Sequence, residues 1–265
     1  MTDKTNIIRR FLAGGMAVAM TALISHAEIA LPDIISNNMV LQQQSDARLW
    51  GWSSPGAVIT VIPGWDGRTY TVKADRNGRW DVAVATTDAG YTPHTLSISG
   101  DGSDIKLENI LIGEVWFCSG QSNMEMPLNG FWCQPVENAG RAIAYAGRYP
   151  GVRVATVERK GEYEPQTAAA GKWKESKPEN AGDFSATAYF FARSLNDILG
   201  VPVGVINCSL GGSRVEGWMP KWKLDTYPDC DVAKEKATPD SVLHLWERIN
   251  IMYNAMLHPI AGYTV

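Results

Sequence analysis

The sequence has no block rich in lysine or arginine: 24 Lys and Arg stand against 28 Asp and Glu, for a formal charge of −4. A polyanion is held by clustered positive charge that displaces its counterions, so nucleic acid is excluded as a partner. Long apolar runs are also lacking. Phe11 to Ile24 falls short of the roughly 20 residues that a bilayer-spanning helix needs. Cysteine is scarce, and the four present, Cys118, Cys133, Cys208 and Cys230, fit no zinc spacing. There is no internal repeat and no low-complexity tract beyond Thr167 to Gly171.

What is present begins with an export signal. Lys4, Arg9 and Arg10 form a positive n-region, Phe11 to Ile24 an apolar region, and Ser25-His26-Ala27 a site of small residues, so residues 1–27 are read as a signal peptide cleaved after Ala27. The expected compartment is periplasmic or extracellular, with no membrane attachment after cleavage. A disulfide is possible there. Cys118 and Cys208, however, lie in apolar runs that suit buried free thiols.

Residues 28–108 repeat one pattern of short alternating segments, including Arg48 to Trp52, Val58 to Ile62, Thr69 to Val72, Trp80 to Val84 and Thr95 to Ile98. Turn residues such as Ser54-Pro55-Gly56 and Asn77-Gly78 separate them. This predicts a β-sandwich domain. From 109 to 265 the pattern changes to apolar runs alternating with helical periods, which predicts an α/β domain with a parallel sheet covered by helices on both faces. The expected strands are Ile110 to Cys118, Gly151 to Val157 and Val203 to Cys208. One helix is expected over Ser185 to Leu199, capped by Asp183 or Ser185 and stopped by Gly200, and another from Asp240 to about Leu257. A helix ending in His258-Pro259 normally leads to a further parallel strand. The sequence therefore predicts a domain incomplete at its C-terminus, with an unpaired edge on Val203 to Cys208.

Ligands of open α/β sheets collect beyond the carboxyl ends of the strands. Two loops lie there. Gly120-Gln121-Ser122-Asn123 presents a hydroxyl where a nucleophile would sit; it is not the Gly-x-Ser-x-Gly elbow, because Met124 replaces the second glycine. Gly211-Gly212 offers backbone N–H groups unshielded by side chains, as an oxyanion hole requires. Taken alone, a serine in such a turn is usually a helix cap and a Gly-Gly pair usually a turn.

The run Leu111-Ile112-Gly113-Glu114-Val115-Trp116-Phe117-Cys118-Ser119-Gly120-Gln121-Ser122-Asn123-Met124-Glu125-Met126-Pro127-Leu128 closely resembles the signature segment of the sialate O-acetylesterase family, a branch of the SGNH-type hydrolases. Asn38 to Gln43, Asn207 to Trp218 and Met252 to Pro259 agree with the family in the same order. The resemblance implies a flavodoxin-like SGNH domain and a serine carboxylic-ester hydrolase acting on O-acetylated sialic acid or related sugars, without a metal or other cofactor. It implies Ser122 as nucleophile, with its own N–H and that of Gly212 as oxyanion donors. Gln121, Asn123, Arg214, Glu216 and Trp218 are the candidate substrate-binding residues. Arg214 is suited either to a sugar carboxylate or to tying down the loop through Glu216.

The sequence departs from the family in having no counterpart of its Tyr-Gln-Gly-Glu-type block or of the Asp-x-x-His block that supplies the general base. Beyond residue 27 only His94, His244 and His258 remain. His94 reads as a turn residue, His244 as a possible i, i+4 partner of Asp240, and His258 as a helix-end residue. An acetylxylan-type esterase and a non-catalytic glycan-binding fragment are the alternative readings.

Overall fold

A computed structural model describes residues 28–265; the signal-peptide reading lies outside the described residues. Short strands appear where the alternation predicts them, as β2 (Asp46–Trp52), β3 (Val58–Pro63), β4 (Tyr70–Lys73), β5 (Arg79–Ala85) and β6 (Gly90–Gly100), and they are preceded by a short strand that the alternation does not mark, β1 (Val40–Gln42). β4, β3 and β6 run antiparallel and join the first half of β7 (Ser103–Gly120), while β2 and β5 form a separate antiparallel pair. Leu49, Trp80 and Val84 of that pair share one core with Ile59, Val61, Leu96 and Ile98 of the larger sheet, giving two packed β layers.

His94, expected in a turn, lies within β6. The register shifts on both sides of it, and Pro93, which has no N–H for the ladder, is tolerated at such an irregularity.

The eighteen residues of β7 span roughly 60 Å at strand rise. Its second half enters a parallel sheet in the order β7, β10 (Val203–Ser209), β8 (Val152–Thr156), with β9 (Trp173–Glu175) antiparallel at the far edge. The open edge predicted for Val203 to Cys208 is therefore not there. β10 is paired along both sides and all seven residues are buried, as its unbroken run of mostly apolar residues suits. The open edge belongs to β7, which beyond Gly113 pairs only with β10 among the described residues.

Four short or medium helices lie between β7 and β10: α1 (Ser122–Glu125), α2 (Ala139–Ala144), α3 (Pro178–Ala181) and α4 (Ala186–Leu199). The last is the predicted one. The Ser185 hydroxyl accepts the Ala188 N–H at 3.2 Å as cap, and Gly200 ends the helix at φ 66°. α4 packs on one face of the parallel sheet through Ala188, Tyr189 and Ala192 against Val154, Val203 and Val205.

The long helix from Asp240 to Leu257 does not form. Asp240, the expected cap, instead accepts from the buried Arg248 guanidinium at 2.7 Å, which also donates to the Tyr163 hydroxyl and to the carbonyls of Glu235 and Thr238. Asn250 adopts φ 67°, outside any right-handed helix. Only a 3-10 turn, Leu245–Glu247, and a π turn, Tyr253–Leu257, remain. Ile251, Met252, Ala255 and Met256 are still buried, in the core that contains Ile206 and Cys208 of β10.

A buried arginine ties the two halves together. Arg153 of β8 donates to the carbonyls of Asn38 and Asn109 at 3.1 Å each, to the Asn109 side chain at 3.2 Å and to the Pro150 carbonyl at 3.3 Å, with Glu175 at 3.5 Å. All four cysteines are free, Cys118 and Cys208 buried.

Candidate active site

β7 and β10 run parallel and in register to their ends, with Ser209 opposite Gly120, so the loops that follow emerge side by side. The Leu210 N–H donates to the Gly120 carbonyl at 3.1 Å and continues the ladder into the loops. Ser122 is the first residue of α1 and is exposed. Its side chain is not the cap. Among the described residues the Ser122 hydroxyl has no hydrogen-bond partner, and the first turn is closed instead by the Gln121 carbonyl, which accepts from Met124 at 3.0 Å and Glu125 at 2.8 Å. The hydroxyl is therefore free for chemistry.

The second loop lies directly against Ser122. A Cβ on Gly211 would lie 3.6 Å from Cα and Cβ of Ser122 and 3.0 Å from the Glu125 carboxylate. Gly212 has φ 74°, and a Cβ there would meet the indole of Trp246 at 3.2 Å. The Gly211 N–H donates to the carboxylate of Glu125, which also pairs with Arg159 at 3.3 Å. Among the described residues neither the Gly212 N–H nor the Ser122 N–H has a protein acceptor. Two unbound N–H groups thus belong to adjoining loops, an arrangement able to hold developing negative charge.

The remaining predicted residues fall around these loops. The Gln121 amide donates to the Ser213 carbonyl at 2.8 Å and fastens one loop to the other. Asn123 is exposed and its carbonyl accepts the Thr187 hydroxyl at 2.9 Å. The Trp218 indole donates to the Ser213 hydroxyl at 2.9 Å, which in turn donates to the Leu210 carbonyl at 2.7 Å. Trp218 lines an open cavity of about 320 Å³ with Ser119, Gly120, Gln121, Ser213 and Val215.

Arg214 pairs with Glu235, not with Glu216, whose carbonyl accepts the Asn250 N–H at 2.9 Å. Sequence reasoning missed Glu125, Arg159 and Trp246. Only Glu125 carried a signal, three residues after Ser122 and so on the same side of a helical turn.

No histidine or carboxylate among the described residues hydrogen-bonds the Ser122 hydroxyl. His94 packs edge-on to Trp65 with ring centroids 5.9 Å apart, and its burial lowers its pKa. His244 stacks on Trp246 at 4.7 Å rather than meeting Asp240, which Arg248 holds. The His258 Nδ1 lies 2.9 Å from the Gln166 carbonyl. Among the described residues no group of three or more His, Cys, Asp or Glu side chains is placed to hold a metal ion.

No family model matches the chain. Sialate O-acetylesterase from Homo sapiens is 29% identical over 248 residues, covering 87% of this chain and 46% of that protein. The Mus musculus protein of the same name is 25% identical over 270 residues, covering 87% and 49%. A crystal structure described as a novel carbohydrate acetylesterase from Xanthomonas citri superposes with a TM-score of 0.76 at 34% identity, over 89% of this chain and 49% of that one. The fold is accordingly α/β of the SGNH-like kind. The chain spans about half the length of the curated relatives it matches, and over most of its own length it is a homologue of the sialate O-acetylesterases.

Proposed function

We propose that the chain carries the nucleophile and oxyanion donors of an esterase that removes O-acetyl groups from sialic acid or a related sugar. The observation that carries this reading is the pairing of an exposed, unbonded Ser122 hydroxyl at the end of β7 with the adjoining Gly211-Gly212 loop, whose Gly212 N–H is unbonded.

In this reading the Ser122 oxygen attacks the acetyl carbonyl and the carbonyl electrons move to oxygen, where the N–H groups of Ser122 and Gly212 stabilise them. The ester C–O bond then breaks, the sugar oxygen leaves as a hydroxyl with a proton matching the one Ser122 gives up, and water releases acetate from the acetyl-serine and restores the serine hydroxyl. No described residue hydrogen-bonds the Ser122 hydroxyl, so the base stands outside this assignment. Gln121 and Asn123 adjoin Ser122 in the chain and, with Glu216 of the second loop, are assigned to substrate contact. Trp218 and Trp246 supply apolar surface for a pyranose ring. Arg214 takes part through the loop it fixes to Glu235, since its charge is already paired. We assign the mature protein to the periplasm or exterior on the strength of the leader-like first 27 residues.

Acetate release from O-acetylated sialic acid and from acetylated xylo-oligosaccharide, compared in the same assay, tests the substrate class. A clear preference for the sialic acid is expected; preference for the xylo-oligosaccharide would replace it with an acetylxylan-type reading. The missing base contact favours a second reading, a glycan-binding protein without turnover. Binding of acetylated sugar with no Ser122-dependent acetate release would select it.

A further inference from the structure

Outside the lining of the cavity beside Ser122, three arginines share a second cavity without a carboxylate. Arg141 of α2, Arg148 just beyond it and Arg193 of α4 line a space of about 310 Å³ together with Tyr145, Tyr149 and Phe190, and no Asp or Glu is among the lining residues. Arg193 lies six residues beyond Thr187, the residue that touches the Ser122 loop, which is roughly 9 Å along the helix axis. The cavity is therefore a separate feature of the α4 face.

The arginines are held by aromatic rings, not by acids. The Arg148 guanidinium sits 4.2 Å from the Tyr145 ring centroid, Arg193 4.3 Å from that of Tyr149, and Arg141 5.8 Å from that of Tyr145. Stacking fixes the plane of a guanidinium and leaves its N–H edge free to bind an oxyanion.

Among the described residues none of the three forms a salt bridge. One link to an acid is indirect: Arg193 donates to the Tyr149 hydroxyl at 3.0 Å, and that hydroxyl lies 3.4 Å from Asp197. The Arg193 Nε is buried with no hydrogen-bond partner at all. Three like charges gathered in one recess of a chain whose formal charge is −4, with no acid among the lining residues, are arranged for a counterion that the protein itself does not provide.

We propose that this cavity binds the sulfate ester group of a saccharide unit, independently of Ser122. A tetrahedral ester group presents three terminal oxygens, enough to engage all three guanidinium edges, whereas a carboxylate presents two. The aromatic rings offer the sugar an apolar wall, and the volume is at the lower end for a small-molecule site, which suits one or two sugar units.

Isothermal titration of the 265-residue protein with N-acetylglucosamine 6-sulfate, uncharged N-acetylglucosamine, glucuronate and inorganic sulfate tests this. The sulfated sugar should bind at least tenfold more tightly than inorganic sulfate or glucuronate, the neutral sugar should not register, and affinity should fall with added salt. Arg148→Gln and Arg193→Gln should each weaken binding about tenfold, while Ser122→Ala should leave it unchanged. If Arg193→Gln fails to fold, Arg141→Gln, at an exposed position, provides the second variant. Absence of binding by the sulfated sugar, equal binding by glucuronate, or binding indifferent to the arginine substitutions would overturn the proposal. Equal affinity for inorganic sulfate and the sulfated sugar would overturn its saccharide part.

Discussion

The carboxylate of Glu125 takes the backbone N–H of Gly211, so a side chain one helical turn after Ser122 holds the glycine loop against the serine. The Arg159 guanidinium, 3.3 Å from the same carboxylate, steadies it from the segment after β8. Because Gly211 N–H is occupied, the next N–H, that of Gly212, is the one left unbonded.

Loss of this anchor should act on the chemical step. A hydrogen bond to a charged group contributes about 1.5–3 kcal/mol, which corresponds to at least a tenfold effect. Glu125→Ala should lower kcat for acetyl-ester hydrolysis at least tenfold with little change in KM, and speed amide exchange at Gly211. Glu125→Gln, whose amide oxygen still accepts, should recover part of both. Unchanged exchange at Gly211 in the alanine variant would contradict the role.

Arg153 should matter for stability rather than activity. Replacing it with Met leaves the part-buried carbonyls of Asn38 and Asn109 without this donor, while Glu175 keeps Lys177 at 2.6 Å and the Asn109 amide at 3.1 Å. Breaking such a buried network costs about 3 kcal/mol or more. Urea denaturation should show that loss, and a change under 1 kcal/mol would show that the network is not what joins the halves.

Much of this was legible in the sequence, for physical reasons that can be named. The short strands of residues 28–108 have one face in a core, and alternation records that. α4 carries its own cap and stop, Ser185 and Gly200, so local chemistry sufficed. The segment from Asp240 to Leu257 misled because Leu245, Ile249, Met252 and Met256 repeat at helical spacing, yet Arg248 draws Asp240 and two carbonyls around itself and Asn250 turns left-handed. That competition is tertiary. The placement of β10 between β7 and β8 was likewise hidden, because chain order does not fix spatial order in a sheet. In the site, the strand ends indicated that the loops bearing Ser122 and Gly212 would adjoin, while their roles rested on the family resemblance; Trp246 lies 34 positions after Gly212 and nothing in its surroundings marked it.

The open edge of β7 should be visible by amide exchange. Glu114 N–H and Gly120 carbonyl are directed to the β10 side, so by strand alternation the N–H groups of Phe117 and Ser119 point the other way. These two amides should exchange much faster than those of Trp116 and Cys118. Equal protection would mean that the edge is covered, for instance by self-association.

The cysteines supply a test by pH and reagent. Burial pushes the Cys118 thiol up to about 11 and the Cys208 thiol up to about 12, from an ordinary value of 9.0. Both stay protonated in the folded protein where an unfolded chain would already ionise. The unfolded state therefore binds fewer protons above about pH 9, and stability should fall as pH rises from there. Maleimide at pH 8 should label exposed Cys133 readily and leave Cys118 and Cys208 unlabelled until denaturant is added. Rapid labelling of Cys208 in the native protein would contradict the buried β10.

The most direct test of the central claim is to locate the acyl group. The protein is incubated with an activated acetyl ester, quenched in acid and mapped by peptide mass spectrometry. Without a base bonded to the serine, acylation should be slow, within about 10³- to 10⁴-fold of the uncatalysed rate. The acetyl group should nevertheless sit on Ser122, disappear in Ser122→Ala and persist in Ser119→Ala. An acetyl group on another residue, or acetylation and acetate release undiminished in Ser122→Ala, would contradict the assignment of Ser122 as the nucleophile.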